Sequence, residues 1–236
     1  MDNCSQSTIA VVVAMQKELD LLLPILSGLT TRQHQGYTYY EGSVNGHRVV
    51  ASKCGIGKVN AAIATKTLID CYSPAMVINS GVAGGTGSGA GILDIVVATA
   101  VAYHDVWCGP GTIPGQAAGC PLLMPCDERV TSLHCLDGRD DIKHGLIASG
   151  DIFVSSAEEV ARIRELYPDV QAVDMESAAM AQVCFMTGTP FVCIRVVSDT
   201  PGADDNISQY ETFWDDAPRH TFEVLNDVLN QLPREL

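Results

Sequence analysis

Three carboxylates, one arginine and a glycine-rich run occupy places in this 236-residue chain where side chains can do chemistry. Glu176 follows an apolar run at 170–173 and opens the Ala-rich pattern Ser177-Ala178-Ala179-Met180, so it stands in a first helical turn just past a buried strand. Glu18 is placed in the same way. The Val-rich run 9–14 ends at Met15-Gln16-Lys17-Glu18, and Leu19, Leu22, Leu23 and Leu26 then mark one helical face. Asp199 closes the apolar run 191–197 behind Ser198. Carboxyl groups give and take protons, and open parallel sheets bind ligands beyond the carboxyl ends of their strands. Arg195 lies inside the last of these runs, where an unpaired charge is costly, so it must meet an anion or a ligand. Taken singly, each acid has a plainer explanation. Glu18 and Glu176 would complement the positive end of a helix, and Asp199 would form an Asx turn. Five strand-like segments ending in such residues, at 15–18, 79–85, 149–153, 176 and 198–199, favour one site on one rim.

The elements that position them read in order as an α/β chain. The pair 37–43 and 47–52 flanks Asn45-Gly46, a strong hairpin signal because a type I′ turn needs positive φ at both central residues. Cys54-Gly55-Ile56-Gly57-Lys58-Val59-Asn60 leads into an Ala-rich helix over 61–69. A short strand at 75–78 precedes Asn79-Ser80-Gly81-Val82-Ala83-Gly84-Gly85. Gly85, Gly87 and Ala90 formally fit the dinucleotide fingerprint, which must open a helix. The next segment, 92–100, is β-branched and reads as a strand, so no dinucleotide cofactor is expected. Residues 144–148 form a strand, Ser155-Ser156-Ala157-Glu158-Glu159 starts a helix with a Ser cap, and 210–229 reads as a terminal helix interrupted by Pro218. His104 has no second histidine at metal spacing and reads as a hydrogen-bonded structural residue, and no metal is expected.

Composition narrows the field. With 47% hydrophobic residues the chain can bury one core, and one domain over 1–236 is expected. A net charge of −14 and a pI near 4.6 oppose nucleic acid and anionic membrane surfaces, which need Lys and Arg. The nine cysteines are odd in number and lack paired metal spacing; a reducing cytoplasm is the expected compartment. The first residues carry no signal-peptide pattern, and no run approaches the roughly 20 apolar residues of a membrane span.

Six ordered segments resemble the nucleoside phosphorylase superfamily: Ala14 to Leu19, Gly55 to Val59, Asn79 to Gly85, Ser149 to Phe153, Val173 to Ser177 and Arg195 to Asp199. Within it they are similar to the methylthioadenosine/S-adenosylhomocysteine nucleosidase family. The resemblance implies a mixed central β-sheet flanked by helices, a small nucleoside substrate, and hydrolysis of its N-glycosidic bond. Asp199, oriented by Ser198, would protonate adenine at N7, and Glu18 would deprotonate the attacking water with Arg195 positioning both. Met175 and Glu176 would hold the ribose, Phe153 would stack on adenine, and the Val154 backbone would read its edge. Met15, Ile56, Val82, Ala83, Gly84 and Tyr210 would complete the pocket. Asn79 stands where related phosphorylases place a phosphate-binding arginine, which favours water over phosphate.

The chain departs from the family pattern at Val82, where many members have Ser, and at Tyr210, often Phe. Three alternatives stay open: a futalosine or aminodeoxyfutalosine hydrolase, a purine nucleoside phosphorylase, and a nucleoside-binding protein without turnover. The Gly-, Pro- and Ala-rich segment 109–125 also carries Ile113, Leu122, Leu123 and Met124, which a monomer would leave partly exposed. A homodimer with this loop at or near its interface is expected.

Overall fold

In the computed structural model, residues 7–216, 218–233 and 236 are described. Strand β1 (Thr8–Val13) leads into helix α1 (Gln16–Leu22), and then come β2 (Ser27–His34), β3 (Tyr37–Val44) and β4 (His47–Lys53). Helix α2 (Lys58–Tyr72), β5 (Met76–Gly85), β6 (Ile95–Tyr103), the short β7 (Met124–Pro125) and α3 (Glu128–Thr131) follow. The remainder is β8 (Ile142–Ser149), α4 (Ala157–Leu166), β9 (Val170–Asp174), α5 (Ser177–Thr187), β10 (Phe191–Asp199), α6 (Asn206–Asp216) and α7 (Pro218–Gln231).

The strands form one mixed sheet with β5 as its pivot. The first half of β5 pairs in parallel with β1, which continues through β4 and β3 to the edge strand β2. Along its other side β5 pairs with β10, and its last two residues pair with β9, antiparallel, through Gly84↔Val173 and Gly85↔Ala172. The path β5, β10, β6, β8, β9 and back to β5 therefore closes on itself. A single rim of parallel strands is thus corrected. Strands β6, β8 and β9 run opposite to β1, β5 and β10, and the Gly84↔Val173 pairing is what overlaps the ends of β9 and β5.

Side-chain alternation along β1 explains why the sheet is covered on both faces. Ala10 and Val12 join the core under α2 and α5, while Ile9, Val11 and Val13 join the one under α1 and α7. Helix α2 buries Ala61, Ala64, Thr65, Leu68 and Ile69, a helical stripe, against α5. A fully buried leucine such as Leu68 contributes about 1.5–3 kcal/mol. Among the described residues no helix is long and apolar enough to cross a membrane.

Several local expectations meet their cause. Asn45 and Gly46 have φ of 48° and 86°, as a type I′ turn requires. Ser156 and Glu159 form the capping box of α4. The glycine run does not open a helix: it is the end of β5 and leads by a loop to β6. Other expectations change. β5 and β10 extend further than their apolar runs, helix α1 ends at Leu22 before a 3-10 turn bearing Pro24, and the terminal helix is two helices, the second beginning with Pro218. Met124 is buried because β7 pairs with β6.

Candidate active site

A cleft opens over the end of β5. After β1 come Ala14, Met15 and Glu18; β5 supplies Val82, Ala83 and Gly84; the turn after β8 supplies Ile152, Phe153 and Val154. The end of β9 gives Val173, Asp174, Met175 and Glu176, and β10 ends in Ser198 and Asp199. Ile56 and Tyr210 close the sides. Every residue singled out for the site from sequence lines this cleft except Arg195, which lies beneath it and contacts its acids.

Glu18 is 1% exposed, and its carboxylate is held at both ends. Oε2 accepts the N–H groups of Ala14 and Met15, both at 2.8 Å, and Oε1 accepts that of Val82 at 3.1 Å. Burial pushes its pKa up, while Arg195 and the three N–H donors pull the other way. Gly81 is part of this arrangement, since a Cβ there would overlap Glu18 Oε1 and Arg195 Nη1.

Arg195 meets its obligation to find an anion. Its Nε and Nη2 donate to Asp174 Oδ2 at 2.9 and 2.7 Å, and Nη2 also donates to Asn79 Oδ1 at 2.6 Å. Glu176 Oε2 lies 3.5 Å from the same nitrogen. Burial works against the Arg195 charge, but Asp174 and the two glutamates hold its pKa above the ordinary value. Asp174 Oδ1 accepts from the hydroxyls of Ser149 and Ser177, so a polar lattice fixes the guanidinium. Glu176 Oε1 accepts the Gly57 N–H at 3.0 Å, which ties the Gly55-Ile56-Gly57 turn to the cleft. Burial raises the Glu176 pKa to about 7; Arg195 opposes this, and Asp174 adds to it.

Asp199 is 2% exposed. Ser198 Oγ donates to its Oδ1 at 2.6 Å, and Asn206 Nδ2 donates to its Oδ2. Burial raises its pKa, with both donors opposing. The rings of Phe153 and Tyr210 meet edge to face at 5.7 Å, and the Tyr210 hydroxyl donates to Met15 Sδ at 3.3 Å. Asp174, Ser149, Ser177, Gly81 and Asn206 had no site role assigned from sequence. Asp174 carried the one usable signal: Arg195 required a buried anion.

The fold and this cleft define a member of a known class, for a family model described as the phosphorylase superfamily matches residues 8–230 and the chain belongs to that superfamily. More narrowly, the chain is similar to the 5′-methylthioadenosine/S-adenosylhomocysteine nucleosidase of Hydrogenovibrio crunogenus, 39% identical over 229 residues that span 95% of this chain and 98% of that one. Among solved structures it is similar to the S-adenosylhomocysteine nucleosidase of Streptococcus pyogenes in complex with 5-methylthiotubericidin. That match has a TM-score of 0.91 and 33% identity, and covers 98% of this chain and 99% of that chain. The 5′-methylthioadenosine/S-adenosylhomocysteine nucleosidase of Neisseria meningitidis, in complex with methylthio-immucillin-A, matches with a TM-score of 0.89 and 36% identity, covering 96% and 100%.

Proposed function

We propose that this protein hydrolyses the N-glycosidic bond of 5′-methylthioadenosine and S-adenosylhomocysteine, and of 5′-deoxyadenosine, releasing adenine and the 5′-substituted ribose. One observation carries the choice of reaction. The cleft is lined by Glu18, Asp174, Glu176 and Asp199 and by no cation among the described residues, and Arg195 beneath it already serves Asp174 and Asn79. A phosphate dianion would find no basic side chain in that lining to clamp it, whereas a ribosyl group gaining positive charge would be stabilised by the carboxylates. The nucleosidases to which the chain is similar support the same reading.

In this reading the bond from C1′ to the base breaks with its electron pair on adenine, and Asp199 passes its proton to N7. Burial suits Asp199 to that task, because it keeps the carboxyl protonated to higher pH. The water oxygen bonds to C1′ as Glu18 takes its proton, and both carboxyls then exchange with solvent. Burial makes Glu18 a stronger base, and the three N–H donors fix its aim. Glu176 and Met175 hold the ribose, and Phe153 and Val154 hold adenine. The test compares release of adenine or hypoxanthine from methylthioadenosine, S-adenosylhomocysteine, 5′-deoxyadenosine and futalosine-type nucleosides. Turnover only of the futalosine type would overturn the assignment.

The homodimer belongs to the same proposal. Val59 and Ile63 of α2, Phe185 and Met186 of α5, and Trp107 and Ile113 are exposed apolar side chains. Those at 59 and 186 flank a shallow apolar groove with Val106 and Val183. A second copy covering this face would remove the patch from water. Sedimentation showing a fully active monomer at assay concentration would defeat it. Among the described residues eight cysteines are free, five of them buried, which supports a reducing compartment such as the cytoplasm.

A further inference from the structure

Asn206 is a polar side chain only 3% exposed, at the first position of α6, and it was not among the residues recognised from sequence. Its Nδ2 donates to Asp199 Oδ2, and among the described residues its buried Oδ1 has no partner. Here the amide is committed to the acid. Ser198 holds Oδ1, so each oxygen of Asp199 has one neutral donor. Those donors are strongest when the carboxylate is charged, which is the state reached as the proton leaves for the base. One turn further along α6, Tyr210 reaches the cleft and contacts Met15, so the same helix carries the acid's partner and a wall of the pocket.

We propose that Asn206 is a positioning residue for Asp199: its amide holds Oδ2 through the proton transfer and stabilises the carboxylate that the transfer creates. This rests on the reading of Asp199 as the acid of an adenine-releasing enzyme. No covalent change occurs at Asn206; the proton moves from Asp199 to the departing base, and the amide only donates.

The test is a double-mutant cycle on adenine release from methylthioadenosine. Asn206→Leu keeps the side chain's size and removes the donor, and Asn206→Ser retains a hydroxyl donor on a shorter stem. Leucine should lower kcat about ten- to a hundredfold, as expected for a lost hydrogen bond to a charged group, with KM within about twofold. Serine should recover part of that loss. In the Asp199→Asn background, Asn206→Leu should have little further effect, because the partner it serves is gone. Wild-type kcat in the leucine variant, an equal loss in both backgrounds, or a change confined to KM would each overturn the inference. Failure of both single variants to fold would overturn it too, by making the residue structural. An Asp199→Asn enzyme with wild-type kcat would instead remove the reading of Asp199 as the acid, and a wild-type protein that releases no adenine would remove the proposed function itself.

Discussion

Glu176→Gln should make the protein more stable than the wild type above neutral pH and not below pH 4. The carboxyl is 5% exposed and its pKa stands at about 7 in the fold, against an ordinary 4.5. At low pH it is neutral in the folded and unfolded chains alike, and the stability linked to its folded-state proton is fully present. As pH rises, the unfolded chain ionises first and the folded one holds its proton to about 7, so stability falls across that window and no further beyond it. A rise from 4.5 to about 7, at 1.36 kcal/mol per pH unit, is about 3 kcal/mol. That is a large share of the 5–15 kcal/mol typical of a domain. Glutamine has nearly the same shape, still accepts the Gly57 N–H, and does not ionise; Arg195 keeps Asp174 and Asn79. Urea unfolding of both proteins at pH 4, 6, 7 and 8 should show the difference in unfolding free energy widening by about 3 kcal/mol in the variant's favour. A gap that stays constant with pH, or that widens in favour of the wild type, refutes the reasoning.

Asp199→Asn should lower kcat on methylthioadenosine by about 10²–10⁴-fold with a small change in KM, because its proton matters as the bond breaks; wild-type turnover would end its assignment as the acid. Glu18→Gln should abolish hydrolysis while an adenosine analogue still binds by calorimetry, and loss of binding would make Glu18 structural. Gly81→Ala should displace Glu18 and Arg195, because the added methyl falls on both side chains. Its kcat should drop at least tenfold with the circular dichroism spectrum unchanged, and full activity would show that the site tolerates the shift.

What could be read from the residues alone was the chemistry at strand ends. Apolar runs stopping at Glu18, Glu176 and Asp199 gave the acids, because a strand covered on both faces must be apolar until it leaves the core. The capped start of α4 and the Asn45-Gly46 turn were legible from local residue types as well. What escaped is non-local or lacks a pattern. Strand β2 is mostly exposed on both faces, so it has no alternation to detect, and its turn at Gln35-Gly36 takes positive φ without an Asn to announce it. The closure of the sheet through Gly84↔Val173 depends on a pairing between residues far apart in sequence. Asp174 meets Arg195, and Asn206 meets Asp199, only through contacts between separate elements, β9 with β10 and α6 with β10.

Water rather than phosphate as the attacking group is the most exposed claim, and product analysis tests it directly. The protein is incubated with methylthioadenosine in phosphate-free buffer and again with added phosphate, and adenine, free methylthioribose and its 1-phosphate are quantified. Adenine should appear at the same rate in both, with free methylthioribose as the only sugar product. Release that requires phosphate and yields the sugar 1-phosphate would contradict a cleft built of carboxylates to exclude that anion.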